Sequence, residues 1–60
     1  MNVIEVKIEE FPDHCEVYVV AHTTGPLGEH PILLHAAPCR TRTEAEALAT
    51  ELRVRFKASA

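Results

Sequence analysis

Sixty residues allow one domain, residues 1–60, with one thin core. A core of that size seldom contributes more than ~3–5 kcal/mol without a disulfide, a metal or a partner subunit. Apolar residues make up 47% of the chain, which argues against disorder, and the net charge of −3 lacks the basic footprint that drives nucleic-acid binding by counterion release.

No apolar run approaches the ~18–20 residues of a membrane span. Met1 leads directly into a strand-like alternation with no basic n-region or apolar h-region, so a cytoplasmic address is expected. Charge is unevenly placed. Residues 1–30 hold Glu5, Glu9, Glu10, Asp13, Glu16 and Glu29 against Lys7; residues 31–60 hold Arg40, Arg42, Arg53, Arg55 and Lys57 against Glu44, Glu46 and Glu51.

From Asn2 to Phe11 the residues alternate, with Ile4, Val6 and Ile8 on one face and Glu5, Lys7 and Glu9 on the other. Period two with β-branched residues predicts a half-buried strand. Phe11-Pro12-Asp13-His14 supplies turn chemistry. A second strand is predicted from Cys15 to His22, with Cys15, Val17, Val19 and Ala21 inward. Thr23 to His30 holds both glycines and a proline and reads as a loop longer than a tight hairpin needs. A third strand is expected over Pro31–Ala37, with Ile32, Leu34 and Ala36 inward, stopped by Pro38.

The run from Thr41 to Lys57 has no Gly or Pro and is the only helix signal. Thr41 with Glu44 makes a capping-box pattern, which Thr43 with Glu46 repeats two residues on. Ala45, Leu48, Ala49, Leu52 and Phe56 form one apolar stripe, and acidic and basic residues gather at the ends that the helix dipole favours. The order predicts an α+β fold: a three-stranded antiparallel meander with one C-terminal helix across one face (βββα, two layers). Its expected core is Ile4, Val6, Ile8, Val17, Val19, Ile32, Leu34, Leu48, Leu52 and Phe56.

A short meander followed by Thr-Arg-Thr-Glu-Ala-Glu-Ala resembles several bacterial βββα domains of unknown function, which carry a Thr-x-x-Glu-Ala motif after the last strand. The likeness covers roughly residues 15–52 and implies the fold without an activity. The order also resembles in outline the plant-type three-strand-plus-helix DNA-binding domain. That family reads DNA with basic and aromatic strand residues, where this chain has Glu5, Lys7 and Glu9.

Four histidines and two cysteines raise the question of a metal: a meander brings Cys15 near Cys39, His14 could join them, and His35 stands an x3 gap before Cys39. The Cys-x2–4-Cys knuckle is absent and no fourth ligand follows from the spacing, so neither a metal nor a cofactor is expected. A meander also brings Cys15 near Cys39, within reach of a disulfide, which a reducing cytoplasm keeps open. No phosphate cradle, nucleophile elbow or metalloprotease motif is present, and catalysis is not expected.

One helix covers one side of the meander. The other side is expected to carry Glu5, Lys7, Glu9, Tyr18, Val20, His22, Leu33, His35 and Ala37. Of these, Tyr18, Val20, His22, Leu33 and His35 form the expected interaction surface, since apolar area rimmed by charge marks contact sites. The expectation is a non-catalytic interaction protein that forms a homodimer or binds another protein, of the kind common among small bacterial and phage-encoded regulators or inhibitors. The alternative is a nucleic-acid-binding module using Arg40, Arg42, Arg53, Arg55 and Lys57.

Overall fold

The computed structural model describes residues 3–58. Three strands, β1 (Val3–Glu10), β2 (Cys15–Gly25) and β3 (Gly28–Cys39), precede one helix, α1 (Arg42–Arg55). The strands form one sheet in the order β1-β2-β3, antiparallel throughout. This is the expected βββα arrangement. Asn2, the expected first residue of β1, lies outside the described residues.

Alternation builds the sheet as anticipated on β1 and β2. Ile4, Val6 and Ile8 oppose Ala21, Val19 and Val17, so both strands send these side chains toward α1. Every inward residue expected on β2 is buried: Cys15, Val17, Val19 and Ala21. From the helix, Ala45, Ala49 and Leu52 close the core, with Leu48 and Phe56 packed at its margin. Two alanines at the centre of the stripe bring the helix backbone close to the sheet.

The helix ends are held by caps. Thr41 is the N-cap, and its Oγ1 accepts from the Glu44 N–H at 3.2 Å. The Glu44 carboxylate accepts the N–H of Arg40, one residue before the cap, at 3.2 Å, so the box closes one position early. Arg42 ties the first turn to β1 through Glu10 at 2.7 Å. At the other end Lys57 takes a positive φ of 54°, Ala58 N–H reaches Arg53 O at 2.9 Å, and Lys57 N–H reaches Val54 O at 3.3 Å. That pair of bonds is a Schellman closure, which satisfies carbonyls the last turn would leave orphaned.

Three expectations about β3 are corrected. The segment Thr23–His30 is not a loop: the ladder continues through Thr23↔His30 and Thr24↔Glu29 to Gly25↔Gly28. Only Pro26 and Leu27 turn the chain, and Gly28 takes a φ of 109°, the left-handed conformation that lets so tight a connection re-enter a strand. Nor does Pro38 end β3, which runs on to Cys39.

The third correction concerns facing. Val19 pairs with His35 but Val20 pairs with Leu33, so Leu34 is an extra, unpartnered residue, a β-bulge. Because the side-chain period is two, one inserted residue exchanges the faces of all that follows. His35 and Ala37 therefore lie on the helix side, opposite Val19 and Val17, while Ala36 lies on the open side opposite Tyr18. The His35 ring sits 6.3 Å from that of Phe56, centroid to centroid.

Ile32 and Leu34 do not join the core; they are 48% and 43% exposed. The cause is reach. A 14-residue helix spans ~21 Å, whereas a 12-residue strand spans ~40 Å. The helix lies mainly across β1 and β2 and touches β3 least. The β2–β3 ribbon projects beyond it, which makes the chain 39 Å long and only 14 Å thick. Its radius of gyration of 12.4 Å accordingly exceeds the ~10.4 Å of a compact chain this long.

Candidate functional site

The register places Glu5, Lys7 and Glu9 of β1, Glu16, Tyr18, Val20 and His22 of β2, and Leu33 and Ala36 of β3 on the face away from α1. Of the five residues expected to form an interaction surface, the structure brings together Tyr18, Val20, His22 and Leu33. His35 belongs to the other side. Ala36, with Pro31 and Pro38, takes the ground assigned from the sequence to His35 and Ala37.

Two polar networks bracket this face. At one end, the His14 ring lies between Asp13 (Nδ1 to Oδ1, 2.7 Å) and Glu16 (Nε2 to Oε2, 2.9 Å), and stacks on Phe11 with centroids 4.8 Å apart. The Tyr18 hydroxyl donates to the second oxygen of Glu16. That carboxylate pushes the Tyr18 phenol up to about 12, because losing its proton would break the hydrogen bond it donates to Glu16 and leave a partly buried charge. Tyr18 and His14 together hold Glu16 below the usual carboxylate value.

At the other end, His22 lies between carboxylates from both neighbouring strands, Glu5 at 3.1 Å and Glu29 at 3.3 Å. Lys7 adds a contact to Glu5 at 3.5 Å. Val3, His22, Thr24 and Glu29 line a shallow cleft of about 220 Å³ beside this network. Between the two ends lies an apolar centre: Val20 is half-buried among its strand neighbours, and Leu33 is 60% exposed.

The edge of β3 is apolar yet guarded. Leu27, Ile32, Leu33 and Leu34 are all large and exposed. Pro31 opposes His22 and Pro38 opposes Glu16, both open-face partners at even spacing on β2. A proline within a sheet has no N–H for the ladder and is tolerated where that position faces an open edge. The two prolines are seven residues apart, an odd number, and the bulge at Leu34 restores them to the same side. The β3 edge thus lacks two of its outward donors and bends between them, which are the devices that block strand addition.

The alternative nucleic-acid contacts are partly committed within the molecule. Arg42 binds Glu10 and Glu46, and Arg55 lies 3.5 Å from Glu51. Arg40, Arg53 and Lys57 are exposed at the two ends of the helix rather than on one stripe. Among the described residues no group of three or more His, Cys, Asp or Glu side chains is arranged to hold a metal ion. The candidate ligands are divided accordingly: His14 turns to Asp13 and Glu16, His35 lies against Phe56, and Cys15 and Cys39 are free thiols.

Fold and surface together define a two-layer βββα arrangement whose second sheet face is uncovered among the described residues. No family model, curated protein or solved structure matches the chain. Among the described residues no helix is long and apolar enough to cross a membrane.

Proposed function

We propose that this chain is a small non-catalytic protein-interaction domain, cytoplasmic as expected from the sequence, that associates with a second copy of itself through the open sheet face. The observation that supports this reading is the apolar centre of Val20, Leu33 and Ala36, lying between two polar networks on a face with no covering element among the described residues. Exposed apolar area rimmed by polar groups is the anatomy of a contact surface. A flat patch can meet its own copy about a two-fold axis, the commonest symmetry of soluble oligomers. Burial there would also add to a core that the helix supplies mostly with alanine.

Sedimentation of the wild type, Val20→Glu and Leu33→Glu at neutral pH is the test. Both side chains point away from α1, so the helix signal should survive while the dimer dissociates. A wild type that stays monomeric at high concentration removes the homodimer. Variants that associate as the wild type does remove the face.

A further inference from the structure

We infer that Cys15 and Cys39 form a dithiol site that low-molecular-weight disulfides, such as oxidised glutathione, convert to a cross-strand disulfide. The two cysteines are direct partners at the end of the β2–β3 ladder. Directly opposed residues of an antiparallel pair have Cα atoms ~4.5–5.5 Å apart and side chains on one face. That separation lies within the ~4.4–6.8 Å a disulfide accepts, so the register puts the two thiols within bonding reach. Both thiols are free and both belong to the same apolar cluster beneath α1.

Their exposures set the order of events. Cys15 is buried at 6% exposure, while Cys39 is only partly covered. Cys39 meets the reagent first. Its thiolate attacks one sulfur of oxidised glutathione, breaking that S–S bond, forming a mixed disulfide and releasing one glutathione thiol. The Cys15 thiolate then attacks the Cys39 sulfur, breaking the mixed disulfide and releasing the second glutathione. The two cysteine protons finish on the two glutathione thiols; the cysteines are oxidised by two electrons and the glutathione disulfide is reduced by two. The product closes the base of the β2–β3 ribbon, whose far end projects beyond the helix.

The test uses the full chain, incubated with oxidised glutathione under native conditions and followed by intact mass, thiol titration, sedimentation and thermal melting. The expected product has lost two hydrogens and both thiols, carries no glutathione, remains intramolecular and reverts with a dithiol reductant. Closing the segment from Cys15 to Cys39 restricts the unfolded chain, so Tm should rise on the order of 10 °C. Cys15→Ala should trap glutathione on Cys39, and Cys39→Ser should react far more slowly than Cys15→Ala. A wild type that retains a glutathione adduct, cross-links between chains, or leaves both thiols free would overturn the proposal, with no variant needed. Oxidation without a gain in Tm, or Cys39→Ser reacting as fast as Cys15→Ala, would do the same.

Discussion

Replacing Leu52 with Ala tests how the core is held together. Leu52 is 1% exposed and is the largest fully buried side chain, in one cluster with Val17 and Val19 from the sheet and Ala45 and Ala49 from its own helix. The substitution removes three side-chain carbons, a transfer loss of ~2.4 kcal/mol at ~0.8 kcal/mol per buried methylene. A cavity penalty adds to that, since the surrounding side chains, Leu48 and Phe56 of the same helix face among them, refill such a space only in part. The expected cost is ~3–5 kcal/mol, against a total stability of ~3–9 kcal/mol for sixty residues. Urea unfolding followed by far-ultraviolet circular dichroism should show a midpoint lowered by about 3 M, or a chain already unfolded, given a slope near ~1 kcal/mol/M. Val54, two residues on, is 76% exposed, and Val54→Ala should change stability by no more than ~0.5 kcal/mol. Equal midpoints for the two variants would refute the helix register on which this core depends.

Three further outcomes are expected. Glu16 and Asp13 hold His14 above its usual 6.5, while Glu16 and Asp13 are held below 4.5 and 3.8 by Tyr18 with His14 and by His14, respectively. The stabilisation from the imidazolium is complete below 6.5 and is lost as pH rises through the raised His14 value; that from the carboxylates is complete above 4.5 and is lost as pH falls through their lowered values. The advantage of wild type over His14→Gln in urea should therefore peak between 4.5 and 6.5, and a pH-independent difference would count against the network. Tyr18, the chain's single tyrosine, should ionise at about 12 by ultraviolet titration and return toward 10.0 in Glu16→Gln; a wild type titrating at 10.0 would show that the hydroxyl does not donate to Glu16. Restoring the two missing edge donors with Pro31→Val and Pro38→Val together should promote concentration-dependent β-sheet association, and light scattering identical to wild type would show that the prolines do not guard the edge.

Much of this architecture is local and so was readable from residue order. The types and sequence of the elements, the inward set of β2 and the Thr41 cap follow from periodicity and from short-range hydrogen bonding that a single segment carries within itself. Thr41 and Glu44 were legible because both partners of each bond lie within one turn. The hairpin at Pro26-Leu27 was missed because its glycines and threonines read as a loop until Thr23 and Thr24 are seen paired with His30 and Glu29.

The facing of β3 was decided elsewhere. Alternation over Ile32, Leu33 and Leu34 is compatible with either face, since all three are bulky aliphatic residues. A signal was present in the odd spacing of Pro31 and Pro38, but it becomes readable only once β3 is known to be an edge strand, where both missing donors must point outward. The extra residue at Leu34 meets that demand and moves His35 to the helix side, on the side of Phe56. Residue order therefore determined which elements form and in what order; tertiary structure decided how far the strands run and which apolar residues they bury. A strand extending ~40 Å cannot be covered by a helix of ~21 Å, so Ile32, apolar as it is, remains half in solvent, and Leu34, the unpartnered residue of the bulge on the strand α1 touches least, does so too.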